Sequence, residues 1–158
     1  MIKRLNAKNA NEVNALMRDP ENYPFIIDDS CPPPEEFDAI EILKDQRTYV
    51  LGWHKGGLLV GLWFAVPWNA IMYQAHICMS SAYRGKATVE ATEDAIRWMF
   101  QGTKCRKVIA LVPDYHIRMK MTMKALGFVR EGKLRNSFLK DGKLVDEVIY
   151  GLCKGGGE

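Results

Sequence analysis

The chain has 158 residues, of which 47% are hydrophobic and 26% are charged. A chain of this length forms one domain, and its composition excludes an intrinsically disordered protein, a collagen and a coiled coil. No stretch approaches the roughly 18 consecutive apolar residues of a membrane span. The first residues lack the apolar core of a signal peptide. We therefore expect a cytoplasmic protein whose four scattered cysteines are reduced and hold no metal.

The charge is distributed unevenly along the chain. Residues 1–80 contain 7 Lys and Arg against 10 Asp and Glu, a net charge of −3, whereas residues 81–158 contain 15 against 9, a net charge of +6. A basic half is typical of a protein that binds a polyanion, either a phosphate-bearing cofactor or a nucleic acid. A basic surface that is simply exposed to solvent, with no polyanionic partner, explains the positive charge of residues 81–158 equally well. Nucleic acid is the weaker alternative, because the chain has no aromatic–basic motif of the RNA-binding kind.

The N-terminal part predicts a strand and two helices separated by a turn-rich segment. Ile2–Leu5 is suited to a short strand, and the apolar spacing within residues 8–18 predicts a helix. Residues 20–34 include three consecutive prolines, which exclude a helix or a central strand there. Such a segment either lines a substrate cleft or merely connects two elements. A short helix is predicted over Glu35–Leu43.

The rest of the chain alternates between strand and helix patterns. Apolar runs with little alternation are typical of strands covered on both faces, and they occupy residues 48–54, 58–66, 71–79 and 107–112. Helical spacing predicts helices over residues 88–100 and 115–126. A final hairpin is predicted from residues 128–139 and 144–153, which are joined at Asp141-Gly142.

The predicted order of elements is therefore β-α-α-β-β-β-α-β-α-β-β. It describes one mixed α/β (α+β) domain over residues 1–154, with a sheet of six to seven strands flanked by helices. Residues 155–158 are predicted to form a flexible, glycine-rich tail.

The segment from Tyr83 to Val89 carries the clearest binding signal. It lies between a predicted strand and a predicted helix, and the small residues Gly85 and Ala87 allow a ligand to approach the backbone closely. Backbone N–H groups that continue into a helix N-terminus form an anion site, which suits a pyrophosphate. Arg84 and Lys86 add positive charge beside it.

The order of elements, this basic loop and the later Leu126-Gly127-Phe128 together resemble the GNAT family of N-acetyltransferases. The phosphate loop of that family follows an Arg/Gln-x-x-Gly-x-Gly/Ala pattern. The beginning of the loop 84–89 agrees with it, while Val89 stands where glycine or alanine is usual. The C-terminal segment GFVREGKLRNSFLKDGKLVDEVIYGL is similar to the RimJ/RimL-type branch, which acetylates protein N-termini and some small amines. The resemblance covers roughly residues 71–153.

The resemblance implies a function and a set of site residues. The donor would be acetyl-CoA, its pantetheine arm would enter between two splayed central strands, and the acetyl group would pass directly to a primary amine of a peptide N-terminus or a small molecule. Met123 stands where many members have a tyrosine that protonates the departing thiolate, and a methionine cannot donate a proton. His116 stands where an asparagine is common. The implied cofactor-binding residues are Ile77, Cys78 and Met79 at the end of a strand, Arg84, Gly85, Lys86, Ala87, Thr88 and Val89 in the loop, and His116 and Met123.

Amine attack on a thioester also needs a group that takes a proton near neutral pH. His76 lies in the middle of a predicted strand, and the ordinary histidine pKa of about 6.5 suits this role. A core histidine that is satisfied by hydrogen bonds explains the same position. Glu35 and Glu36 could meet a cationic substrate or simply complement a helix dipole.

A different class of function also fits the sequence. The departures at Val89 and Met123 are compatible with a GNAT-fold module that binds CoA or a protein partner with little or no catalysis. The sequence is also compatible with a homodimer.

Overall fold

A computed structural model describes residues 2–156 of the chain. One sheet contains seven strands: β1 (Ile2–Arg4), β2 (Tyr49–Lys55), β3 (Leu58–Pro67), β4 (Met72–Met79), β5 (Lys107–Pro113), β6 (Val129–Lys140) and β7 (Lys143–Cys153). The α-helices are α1 (Ala10–Arg18), α2 (Tyr23–Ile26), α3 (Ile40–Lys44), α4 (Lys86–Gly102) and α5 (Ile117–Ala125). The mixed α/β fold and the predicted order of elements are confirmed, with the single turn α2 as an addition.

Two local predictions in the N-terminal part were wrong. The three consecutive prolines were expected to exclude a helix from residues 20–34, but α2 forms within this segment, with Pro24 in its first turn, where the missing N–H group is not needed. The helix predicted over Glu35–Leu43 is divided into a 3₁₀ turn at Pro34–Glu36 and the short α3, because the backbone of Phe37 is extended. Residues 157–158 of the predicted tail lie outside the described residues. Within residues 2–156, no helix has the length and apolar character needed to cross a membrane.

The strand order is β1-β2-β3-β4-β5-β7-β6, and every neighbouring pair is antiparallel except β4 and β5. The parallel pairing of β4 with β5 covers only three residue pairs and ends at Gln74 and Ile109. Beyond this point β4 stays paired with β3 as far as Met79, and β5 stays paired with β7 as far as Pro113. A gap therefore opens between β4 and β5 toward their C-terminal ends.

The helices cover the two faces of the sheet. On one face, which we call the α4 face, Ala95, Ile96 and Met99 of α4 pack in a core cluster with residues of β5 and β7. On the other face, the α1 face, a second cluster joins Val13 and Leu16 of α1 to residues of β2, β3 and β4. Because side chains alternate along a strand, each residue of β4 belongs to one of these two faces.

Candidate active site

The gap between β4 and β5 opens at the same edge of the sheet as the N-terminus of α4. After β4 ends at Met79, a 3₁₀ turn at Ser81–Tyr83 leads to Arg84 and Gly85, and α4 begins at Lys86. The sheet thus brings the open gap and the predicted phosphate loop together. The backbone groups of residues 75–79 that face β5 have no partner strand within the described part of the chain.

Gly85 determines the shape of the loop. Its backbone has φ +87° and ψ −125°, a conformation that is essentially restricted to glycine. Its carbonyl accepts hydrogen bonds from the N–H groups of Thr88 and Val89, whereas the N–H groups of Lys86 and Ala87 have no acceptor within residues 2–156. A Cβ atom on Gly85 would meet no other atom within 4 Å. Two backbone donors without acceptors among the described residues thus lie at the start of a 17-residue helix, as a phosphate site requires.

The two basic side chains of the loop have different environments. Lys86 has 91% of its side chain exposed, and its only ion pair in the described structure is a 3.8 Å contact with Glu90. The Arg84 guanidinium instead donates hydrogen bonds to the Glu21 carbonyl and to Asn22 Oδ1, the latter at 2.9 Å, and it lies 5.1 Å from the centre of the Phe25 ring. Arg84 thus holds the segment after α1 against the loop, which was not predicted from the sequence.

The same segment, residues 21–29, also contacts the tip of the β6–β7 hairpin. Lys140 Nζ donates to the carbonyls of Pro24 and Ile27, at 2.6 and 3.2 Å. The Asp29 carboxylate accepts the N–H groups of Asp141 and Gly142, at 3.0 and 2.8 Å. Because Arg84 follows β4 and the hairpin belongs to the other side of the gap, the segment connects the two sides at the open end. This position favours the interpretation that the turn-rich segment borders a cleft.

Asn22 secures this connection and gives a stability prediction. Its side chain is only 1% exposed, and it accepts from Arg84 while its Nδ2 donates to the Leu16 carbonyl at 2.9 Å. Asn22→Ala removes both hydrogen bonds, so we expect the free energy of unfolding to fall by about 2 kcal/mol in a urea titration. Asn22→Asp is the matched control, because it keeps an acceptor for Arg84 and should lose less. Unchanged stability of Asn22→Ala would contradict the assignment.

His76 lies on the α1 face of β4, opposite Phe64 of β3. It is exposed, and its imidazole has no hydrogen-bond partner among the described residues, so the alternative of a satisfied core histidine is not supported. Desolvation by the surrounding protein atoms nevertheless lowers the pKa of His76 from its ordinary value. The imidazole is therefore neutral at pH 7 and can accept a proton.

The other predicted residues of β4 are largely buried. Ile77 packs against the core on the α4 face, and Met79 is buried against Gly61. Cys78 belongs to the core cluster on the α1 face, and its burial raises the pKa of the thiol to about 12. A thiol that remains protonated at neutral pH is a poor nucleophile. The buried side chains of Cys78 and Met79 leave mainly their backbone groups for a ligand in the gap, whereas the Ile77 side chain is half-buried.

The two predicted residues near α5 have different positions. His116 lies just beyond β5, where its Nδ1 accepts the Met119 N–H at 3.4 Å and caps the helix, and burial lowers its pKa. It is therefore at the same edge as the loop 84–89. Met123 is only 4% exposed and packs in the core cluster on the α4 face with Phe128. Its environment is ordinary core packing, and a cofactor contact there rests on the resemblance alone.

Two polar residues have environments that the sequence analysis did not identify. The His54 side chain is only 14% exposed, its Nε2 lies 3.5 Å from the Glu12 carboxylate, and its buried Nδ1 has no partner among the described residues. Glu147 is only 9% exposed and lies at the level of Pro113, the last residue of β5. The sequence does indicate this buried position, because Asp146-Glu147 interrupts an apolar run in which alternate residues must face inward, so one of the two carboxylates is expected to be buried.

Comparison with solved structures places this arrangement in a known fold. The chain is similar to a ribosomal-protein-S5-alanine acetyltransferase from Vibrio fischeri with a TM-score of 0.80 and 15% identity, covering 98% of this chain and 92% of that one. It is similar to a spermidine N-acetyltransferase mutant from Vibrio cholerae with a TM-score of 0.77 and 14% identity, covering 97% and 92%. An acetyltransferase of the GNAT family from Streptococcus pneumoniae gives a TM-score of 0.77 and 17% identity, covering 98% and 99%. The chain therefore has the GNAT fold.

Sequence comparison defines the family. No curated protein has a sequence that matches this chain. A family model described as "Protein of unknown function (DUF2824)" matches residues 30–156, which is most of the chain. The chain therefore belongs to the DUF2824 family.

Proposed function

We propose that this protein is an acetyl-CoA-dependent N-acetyltransferase that transfers the acetyl group directly to a primary amine. The observation that carries the proposal is that the open gap between β4 and β5 and the free N–H groups at the start of α4 lie at one edge of the sheet. Among the similar solved structures are enzymes named for the acetylation of ribosomal-protein alanine and of spermidine, which supports this class of acceptor. They also support a place near the RimJ/RimL-type branch.

The residues at this edge fit CoA in their chemistry. The N–H groups of Lys86 and Ala87 would bind the pyrophosphate, and the Lys86 ammonium would neutralise part of its charge. The unpaired backbone groups of residues 75–79 would pair with the amides of the pantetheine arm, as a neighbouring strand does elsewhere in the sheet. His116 would lie on the β5 side of the same edge.

The chain's own groups then serve the transfer. Bound acetyl-CoA would supply a thioester carbonyl that an amine can attack. His76, neutral at pH 7, would take the proton that the attacking amine loses. Met123 donates no proton, and a thiol has an ordinary pKa of about 8.5, so departure of the sulfur near neutral pH does not require an acid at that position. We expect modest turnover.

The core position of Met123 also favours a second candidate, a CoA-binding module with little catalysis. A calorimetric titration with CoA, combined with an acetyl-CoA consumption assay, separates the two. The assay should use peptide N-termini, lysine side chains, polyamines and amino sugars as acceptors. Binding with turnover on at least one amine supports the transferase. Binding without any turnover favours the module, and absence of CoA binding contradicts both.

A further inference from the structure

Glu147 is a buried carboxylate without a positively charged partner. Its residue is 9% exposed, and the Ser137 hydroxyl donates to its Oε2 at 2.8 Å. No Lys, Arg or His nitrogen of residues 2–156 lies within 4 Å of the carboxylate. Burial of a charge is costly unless an opposite charge compensates it. The missing counter-charge is therefore a reason to look for a cationic ligand.

The basic side chains of this region, Lys107, Lys133 and Arg135, form no ion pair with Glu147 in the described part of the chain. Val148 and Tyr150 belong to the core of the α4 face, so Glu147 faces the α1 side of the sheet. The residues of β5 that share this face beside it, Ile109, Leu111 and Pro113, are apolar. Nearby Lys133 already lies 2.9 Å from Asp146 and 3.6 Å from Asp114. Lys107 is paired with Glu131 at 2.7 Å.

A distortion in β6 positions the one polar partner of Glu147. The β6–β7 register shifts between Leu134 and Phe138, and Asn136 has a positive φ of 51°. The bulge brings the Ser137 hydroxyl to Glu147 Oε2, while Oε1 has no hydrogen-bond partner in the described part of the chain. A concavity of about 590 Å³ beside the bulge is lined by residues 133–137, which include Ser137 and the basic Lys133 and Arg135 but not Glu147 itself. Bulges often direct a side chain into a functional site.

Glu147 and His76 also lie on the same face of the sheet. Glu147 is opposite Pro113 at the end of β5, and His76 lies on β4 across the gap, on the same α1 face. Residues 19–43, which include the segment that borders the open end, contain eight carboxylates and no Lys or Arg. This part of the chain is acidic by itself, and the basic side chains that contact it are Arg18, Arg84 and Lys140.

We propose that Glu147 binds the ammonium group of the acceptor and thereby selects positively charged amines. This inference rests on the proposed acetyltransferase function. The carboxylate holds the ammonium at the α1 face. The ammonium gives one proton to His76 before attack, the freed lone pair then attacks the thioester carbonyl, and as the C–S bond breaks the sulfur leaves and the second N–H proton is released to it or to water. Ser137 is a positioning residue that orients the carboxylate.

The test compares Glu147→Gln with wild type, using the amine of the panel above that gives the highest kcat/KM. Glutamine keeps the shape of the side chain and an acceptor for Ser137 but removes the charge. We expect the KM for the amine to rise at least tenfold, kcat to change less than threefold and CoA affinity to stay the same. Glu131→Gln is the matched control, because it removes a carboxylate whose counter-ion is Lys107, and we expect an unchanged amine KM.

Two results would overturn the inference. An unchanged amine KM would show that the charge is not recognised, and a large fall in kcat with an altered pH profile would make Glu147 the proton acceptor instead. If Glu147→Gln does not fold, Glu147→Asp provides the test, because it keeps the charge on a shorter side chain and should also raise the amine KM. Turnover with an unchanged KM contradicts this inference alone, whereas the absence of transfer to every amine contradicts the proposed function.

Discussion

Replacing His76 with Gln is expected to lower kcat about 10²-fold while the affinity for CoA remains that of wild type. Glutamine keeps the polarity and approximate volume of the side chain but cannot take a proton from the amine. The pKa of His76 is lowered, so the active neutral imidazole forms as the pH rises through a value below 6.5. Wild-type kcat should therefore rise with pH below neutrality and then level off. His76→Gln should lack this rising limb.

The matched control for this experiment is His54→Gln. His54 lies on β2, two strands from β4, and is covered by α1 rather than facing the gap. Its replacement should leave the pH profile of kcat unchanged. A His76→Gln variant that retains the wild-type pH profile would rule out His76 as the proton acceptor.

Replacing Lys86 with Glu is expected to weaken CoA binding between tenfold and a hundredfold, because it exchanges one charge-assisted contact for repulsion. The side chain is 91% exposed, so the change disturbs no packing. An acidic residue in the first turn of a helix is favourable, so α4 should remain folded. Isothermal titration calorimetry with CoA measures the loss directly.

Lys104→Glu provides the control for net charge. Lys104 follows the C-terminus of the same helix, so this variant makes the same charge reversal far from the loop. Its CoA affinity should stay within a few-fold of wild type. Equal losses in the two variants would indicate a general electrostatic effect, and no loss in either would place the phosphate site elsewhere.

The strands and long helices were predictable because their signals are local. The hairpin of β2 and β3 follows from two apolar runs around Gly56 and Gly57, and α4 follows from helical spacing over several turns. The region between α1 and β2 was predicted less well. There, single turns such as α2 depend on contacts with residues far away in the sequence, and the prolines indicate only where a helix cannot continue.

The candidate site was predictable in part for the same reason. The loop around Gly85 could be read from neighbouring residues, since a small residue and a following helix create the anion site. The hydrogen-bond partners of Arg84 could not be predicted from neighbouring residues, because Asn22 lies 62 residues away in the sequence. The exposure of His76 also depends on where β4 separates from β5, and residue patterns within one strand do not contain that information. Glu147 could have been found from strand alternation.

The short pairing of β4 with β5 divides the sheet into two antiparallel halves. Three residue pairs join the halves at one end of the gap, and the contacts of Lys140 and Asp29 with residues 24–29 and the hairpin tip close the other end. The gap between β4 and β5 is therefore held at both ends, and its width depends on the contacts at each end. A substitution at the hairpin tip can widen or narrow this gap without changing any residue that would contact a cofactor. Residues at the hairpin tip can therefore change the size of the groups that the opening admits. These residues lie 113 positions along the chain from the segment that they contact.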